Sequence, residues 1–320
     1  MPQLAILDDY QDAAFSFADW SAVGERMEIV RFTDHEADFD RLVARLIHFE
    51  VITTVRERTP LPRRLIEALP NLKLIVTTGM FNRAIDLDAC EERGIYVCGT
   101  SSPSDSTSEL TWAIILALAR KIVKTSHDMT AGKWGTTVGL DLNGLRLGLV
   151  GLGRIGGQVA TVGKIFEMDV VAWSSNLSDA RCHELGVKRV SREELFGTSD
   201  FISLHMVLSE RTRGMIGASD FARMKPSSFF VNTSRGQLID QDALLGALSC
   251  NSIAGAGLDV FDIEPLAPDH PLRSLENALL LPHIGYVTER QYKMYYEQTV
   301  ENVLAFMDGR RLRPLGRPET

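Results

Sequence analysis

The glycine spacing at residues 151–156 constrains this chain more than any other feature. Arg146-Leu147-Gly148-Leu149-Val150 reads as a buried strand and runs straight into Gly151-Leu152-Gly153-Arg154-Ile155-Gly156, with a helical stretch from Gln158 to Phe166 behind it. Each glycine answers a physical need of a dinucleotide site. Gly151 permits a tight turn, Gly153 lets the backbone approach a pyrophosphate, and Gly156 allows the helix to pack on its strand. The helix N-terminus adds unpaired N–H groups and positive dipole for the phosphates. A glycine triplet alone is weak, but set between strand and helix it predicts a nucleotide-binding domain.

The next strand, Asp169 to Trp173, should end in an acidic residue that holds the ribose hydroxyls of NAD. Ser174-Ser175-Asn176 stands there instead. These side chains can hydrogen-bond either ribose form, and the nearest arginine, Arg181, comes only after a turn. NAD and NADP both stay open.

Strand-like runs alternate with helical stretches along nearly the whole chain, which predicts an α/β fold with parallel sheets. The first third carries runs at Leu4 to Leu7, Val51 to Val55, Leu72 to Thr77 and Ile95 to Cys98, with a short helix at Arg63 to Leu69. A break dense in turn formers, Gly99 to Asp105, marks a domain boundary. Ser106-x-x-Glu109 matches a capping box ahead of a buried helix from Leu110 to Val123. A strand-helix series then runs from Leu145 to about His283, and an amphipathic helix, Glu289 to Met307, closes the chain. With 320 residues, two domains are expected.

Composition weighs against several classes. Lys and Arg number 34 against 42 Asp and Glu, a net charge of -8 that leaves no basic surplus for nucleic acid. The longest apolar run, around Ala113 to Ala119, is far too short for a bilayer, and the N-terminus shows no signal-peptide pattern. Cys90, Cys98, Cys182 and Cys250 are scattered, without metal-ligand spacing. Reduced thiols, no metal and a cytoplasmic location are the expectation.

Three polar residues follow strand-like runs of the second series, where ligands gather in open α/β sheets. Arg235 follows Phe229 to Ser234, Glu264 follows Gly257 to Ile263, and His283 follows Leu279 to Pro282. Singly they read as a surface cation, a loop carboxylate and a structural histidine. On successive βα connections of one nucleotide-type domain they make a chemical set. The guanidinium can grip a substrate carboxylate bidentately, the Glu can favour a charged imidazole, and the imidazolium can protonate a keto oxygen as hydride arrives. His205, after Phe201 to Leu204, is a rival base without comparable partners and is read as lying near the cofactor.

Together these segments resemble the D-isomer-specific 2-hydroxyacid dehydrogenase family, which includes phosphoglycerate and glyoxylate/hydroxypyruvate dehydrogenases. The resemblance covers Leu149 to Gly156, Met224-Lys225-Pro226, Val231 to Gly236 with Asp240, Ala243 and Leu244, Leu258 to Phe261, Glu264-Pro265 and Pro282 to Gly285. It implies that Arg235, Glu264 and His283 bind the carboxylate, tune the histidine and transfer the proton. It implies cofactor contacts at Gly151, Gly153, Arg154, Ile155, Gly156, Ser174, Val207, Thr212, Thr233, Asp259 and Gly285, with Asp259 at the nicotinamide amide. Arg56, Thr78, Gly79 and Met80 would contact a small 2-keto or 2-hydroxy acid. The implied fold has two doubly wound parallel-sheet domains: a Rossmann domain, 101–287, inserted in a discontinuous flavodoxin-like substrate domain, 1–100 and 288–320. Hinge closure and a homodimer through the cofactor domain are implied as well.

Two departures stand out. The family often continues with a second glycine and Asp-Asn after Thr78-Gly79, whereas this chain has the bulkier Met80-Phe81-Asn82, which argues against phosphoglycerate as substrate. The family's His-x-Pro reads His205-Met206-Val207 here. Glu264 argues against the formate dehydrogenase branch, where a Gln is usual. The alternative to an enzyme is an NAD(H)-sensing corepressor-like binding protein of the same fold. The short tails and the complete chemical set favour the dehydrogenase.

Overall fold

The computed structural model describes residues 1–102 and 106–316. These residues form two compact units, 1–102 with 287–316, and 106–286.

The first unit is built on a parallel five-stranded sheet. Its strands are β1 (Gln3–Ile6), β2 (Glu28–Arg31), β3 (Val51–Thr54), β4 (Leu74–Thr77) and β5 (Tyr96–Cys98), in the order β2-β1-β3-β4-β5. That is the flavodoxin-like order. Every residue of β3 and β4 is buried, as parallel strands covered on both faces require. The edge strand β2 is half-exposed and carries Glu28 and Arg31. Charge at an edge discourages pairing with other chains, and the same charge hid this strand from the apolar pattern.

The helix Glu289–Met307 belongs to this unit. Thr288 caps it by accepting from the Gln291 N–H, and Tyr292, Tyr295, Tyr296, Val300 and Val303 are buried at helical spacing. Asn302 of this helix donates to the Gly99 carbonyl at 2.8 Å, and the Gly99 amide donates to the Arg313 carbonyl at 3.0 Å. The start of the expected break is therefore tied into the first unit, through Ser102. Pro103, Ser104 and Asp105, its remainder, lie outside the described residues.

The second unit holds β6 (Arg146–Val150), β7 (Asp169–Trp173), β8 (Lys188–Arg189), β9 (Phe201–Leu204), β10 (Phe229–Asn232), β11 (Gly255–Leu258) and β12 (Ala278–Leu280). All pairs are parallel, in the order β12-β11-β10-β9-β6-β7-β8. The order reverses between β6 and β9, which opens a crevice at their carboxyl ends. Phe196, Phe201 and Phe230 are fully buried in this unit, each contributing about 2–3 kcal/mol by burial.

One helix departs from the sequence expectation. Instead of a continuous helix to Val123, the chain forms Ser106–Ala119, then turns at Lys121 in the left-handed region (φ 51°) and restarts as Ile122–Thr130. The Ala119 carbonyl accepts from the Leu140 amide at 2.8 Å rather than from a fourth helical neighbour, so the ladder stops there. The expected capping box also fails. Ser106 is itself helical, and its buried hydroxyl has no partner among the described residues. Among the described residues no helix is long and apolar enough to cross a membrane. Cys90, Cys98 and Cys182 are buried and Cys250 is exposed; burial pushes the Cys90 and Cys98 thiols up to about 12.

Candidate active site

Arg235, Glu264 and His283 follow β10, β11 and β12, three adjacent strands of the second unit. Buried Asn232 ends β10 and shapes the first loop. Its Oδ1 accepts from the Ser234 amide at 2.9 Å and its Nδ2 donates to the Arg235 carbonyl at 3.0 Å. The next residue must be glycine, because a Cβ on Gly236 would lie 2.0 Å from the Phe261 carbonyl carbon. The loop after β10 thus rests directly on the loop after β11.

Glu264 joins the next two loops. Its Oε1 accepts from the Phe261 amide at 2.8 Å, and its Oε2 is 2.6 Å from His283 Nδ1. His283 has a left-handed backbone (φ 54°), a conformation that costs a non-glycine residue energy and persists where the surroundings enforce it. Asp259 supplies that enforcement. It is fully buried, and its two oxygens accept from the Ile284 amide at 2.7 Å and the Gly285 amide at 2.8 Å. Burial pushes Asp259 up to about 6, against these two donors. The Tyr286 ring meets the His283 ring edge-on, with centroids 5.4 Å apart.

The helix Ser106–Ala119 braces the same loops with two threonines that the sequence reading missed. Thr107 Oγ1 donates to the Gly285 carbonyl at 3.2 Å, and Thr111 Oγ1 is 2.8 Å from Thr233 Oγ1. Two threonines four residues apart in the polar first half of this helix were the available signal, since residues at that spacing share a face.

His205 has a different environment. Its Nε2 lies 2.9 Å from Ser203 Oγ, while its Nδ1 is buried without a partner among the described residues. Burial pushes this ring down to about 4, so it stays neutral near pH 7 and makes a poor proton donor. Its carbonyl has a structural use, because a Cβ on Gly151 would lie 2.4 Å from it.

The glycine motif fits a dinucleotide. Gly151 turns with φ 99°, and a Cβ on Gly156 would lie 2.2 Å from the Gly151 carbonyl oxygen. Gly153 is exposed, faces open space and begins the helix Arg154–Ile165, whose N-terminus no side chain caps. A pyrophosphate can approach that backbone and take up its amides. Arg154 is exposed and makes no hydrogen bond or ion pair among the described residues; Ile155 and Ser174 are half-buried. Thr212 closes the loop after β9 by donating to the Val207 carbonyl at 2.8 Å and accepting from the Ser209 amide at 2.7 Å, which leaves Val207 exposed.

The remaining candidates gather in the first unit at the ends of β3 and β4. Arg56 has φ 53°, its amide donates to Thr78 Oγ1 at 2.9 Å, and its Nη1 would lie 2.1 Å from a Cβ on Gly79. Gly79 itself turns with φ 85°, so the guanidinium lies across a position only glycine fills. Met80 follows, 46% exposed.

Comparison with known proteins agrees with this architecture. The model of the D-isomer specific 2-hydroxyacid dehydrogenase NAD binding domain matches residues 112–285. A glyoxylate reductase of Korarchaeum cryptofilum is 39% identical over 257 residues, 78% of this chain and 77% of that protein. A hydroxypyruvate reductase of Thermotoga maritima is 35% identical over 281 residues, covering 86% of this chain and 90% of that one. The crystal structure of a phosphoglycerate oxidoreductase from Vibrio cholerae superposes with a TM-score of 0.90 at 37% identity, covering 97% of this chain and 100% of that one. Matches of this extent, over a chain with this sheet order and this row of strand-end residues, have one reading: the chain belongs to the D-isomer specific 2-hydroxyacid dehydrogenase family of nicotinamide-dependent oxidoreductases.

Proposed function

We propose that the protein reduces a short 2-keto acid, of the glyoxylate or hydroxypyruvate class, to the corresponding D-2-hydroxy acid. The 2.6 Å contact between His283 Nδ1 and Glu264 Oε2 carries this reading, supported by the reductases named above. With Nδ1 engaged, Nε2 is the nitrogen left to hold a transferable proton.

The side chains divide the work by their chemistry. Arg235 offers a planar fork to the substrate carboxylate and fixes the keto group's orientation. Glu264 holds the imidazole in place and compensates its positive charge. His283 donates the proton to the keto oxygen, and in the reverse direction accepts it from the hydroxyl. A reduced nicotinamide bound at the glycine motif supplies the hydride. Asp259 positions His283 by fixing the two amides that follow it. In the first unit, Arg56, Thr78, Gly79 and Met80 are the proposed contacts to the rest of a small substrate.

The proposed state is a homodimer through the second unit. The segment from Ile122 to Leu140 exposes Ile122, Val123, Met129, Trp134, Val138 and Leu140, with Trp134 at 83% and Val138 at 85% exposure. Exposed apolar residues concentrated in one short segment point to a covered surface. Light scattering on the purified protein should give twice 35.5 kDa, and Trp134→Glu should lower it to the monomer mass.

The decisive experiment is nicotinamide absorbance with glyoxylate, hydroxypyruvate, pyruvate, 2-ketobutyrate and phenylpyruvate. Oxidation of the cofactor with glyoxylate and hydroxypyruvate is expected. Cofactor binding without turnover of any of them would sink the substrate assignment.

A further inference from the structure

The ribose end of the glycine motif is built differently from its sequence appearance. Ser174 directly follows β7, and the Trp173 carbonyl accepts from the Gly151 amide at 2.9 Å, so Ser174 flanks the glycine turn. The Leu177 amide donates to the Ser174 carbonyl at 3.2 Å, and this tight turn feeds at once into the helix Asp179–Leu185. Arg181, which looks remote in sequence, is thereby carried back to the turn. Its Nε donates to the Leu152 carbonyl at 3.1 Å and its Nη2 to the Gly153 carbonyl at 3.3 Å. The fit is close, since a Cβ on Gly157 would lie 2.9 Å from Arg181 Nη2.

Charge in this region favours an added anion. No carboxylate occurs between Ser174 and Ser178 to repel one. The two acids that follow are already engaged, Asp179 by Arg189 at 3.0 Å and Glu184 by Arg181 Nη1 at 2.8 Å. These three bonds take three of the five N–H groups of Arg181, and the other two remain available to a ligand. Arg181 and exposed Arg154 line one open groove of about 460 Å³ together with Gly153 and Gly157.

We propose that Arg181 binds the 2′-phosphate of the cofactor, with hydroxyl support from Ser174, and that the protein therefore prefers NADPH to NADH. The proposal rests on the nicotinamide site argued above. Arg154, at the helix start, serves the pyrophosphate common to both cofactors. Arg181 distinguishes them because a dianionic phosphate gains charge-assisted bonds from a guanidinium that a ribose hydroxyl does not.

The test is equilibrium titration of nicotinamide fluorescence with NADPH and with NADH, in the absence of any keto acid. Binding of 2′,5′-ADP and 5′-AMP should be measured in parallel. The wild-type protein should bind NADPH about tenfold or more tightly than NADH, and 2′,5′-ADP more tightly than 5′-AMP. Arg181→Ala should abolish that ratio while leaving NADH affinity near the wild-type value, and Arg181→Lys should keep part of it. Arg154→Ala should weaken both cofactors alike. Ser174→Asp offers an independent route if the arginine variant folds poorly, and it should reverse the preference. Equal or tighter binding of NADH by the wild type would overturn the proposal, as would an Arg181→Ala variant that loses both cofactors in the same proportion. Binding of neither cofactor would defeat the functional reading as well, so the two failures are distinguishable.

Discussion

Glu264 spends its two carboxylate oxygens on two different loops: Oε1 accepts from the Phe261 amide on its own turn, and Oε2 meets His283 Nδ1 on the next. A glutamine there has only one acceptor oxygen. If it keeps the Phe261 amide, its NH2 faces Nδ1 and requires that nitrogen to be unprotonated, which disfavours the doubly protonated ring. Glu264→Gln should lower kcat for keto-acid reduction by about 10–100-fold, with cofactor affinity unchanged by fluorescence titration. An unchanged kcat would remove Glu264 from the proton-transfer machinery.

The two histidines make opposite predictions. His283 is held by an acid in a strained turn, whereas His205 is kept neutral by burial beside Ser203. His283→Ala should reduce kcat by about 10³-fold while the protein still binds its cofactor. His205→Asn should retain turnover within about tenfold, since the ring contributes packing and one hydrogen bond. The reverse ranking in stopped-flow assays would transfer the proton-donor role to His205.

For Arg235, geometry rather than charge is the expected contribution. Its backbone carbonyl accepts from Asn232, and its Nη1 donates to the Ser234 carbonyl at 2.7 Å, so backbone and guanidinium are both held before any substrate arrives. Arg235→Ala should raise KM sharply and lower kcat/KM by about 10²–10³-fold, and Arg235→Lys should recover only a small part, because an ammonium cannot grip a carboxylate in two places. Full recovery by lysine in steady-state kinetics would show that charge alone suffices.

Much of this was legible in the sequence because it rests on backbone necessity. The turn at Gly151 and the close approach at Gly156 admit no side chain, and the run of buried residues in β6 could serve only a covered strand. Helix Glu289–Met307 showed its apolar face at helical spacing, and its ends coincide with those expected. Two of the four edge strands were hidden: β2 is half-exposed and β8 consists of exposed Lys188 and Arg189, so neither shows an apolar run. The bracing by Thr107 and Thr111 depends on which helix face meets the loops, and Arg181's return to the glycine turn depends on a five-residue connection closing tightly. Tertiary direction of that kind is not written in local periodicity.

Gly236→Ala is the sharpest test of how the loops are assembled. The added methyl would meet backbone at 2.0 and 2.1 Å, the carbonyl carbon and oxygen of Phe261, and backbone cannot rotate away as a side chain can. A cost of about 1–3 kcal/mol is expected from overpacking, read as a lowered Tm. Activity should fall further than stability, since the same shift separates Arg235 from Glu264. A variant with native Tm and native kcat/KM would mean that the two loops are not held in contact.

The first unit contains a separate pH-dependent element. His35 Nδ1 lies 2.9 Å from Asp8 Oδ1, and buried Asp8 also accepts from Thr59 Oγ1 at 2.6 Å. The hydrogen bond to Asp8 raises His35 above its ordinary value of 6.5, with Glu36 adding to the effect and burial and Arg45 opposing it. The folded state therefore binds this proton more tightly than the unfolded chain does. The resulting stability is fully present below about pH 6.5 and is lost as the pH rises through the folded value. His35→Gln should consequently have a lower Tm than the wild type near pH 5.5, and the gap should narrow toward pH 8.5, in melts about half a pH unit apart. A gap that stays constant or widens with pH would show that His35 stabilises the unit through packing rather than through its charge.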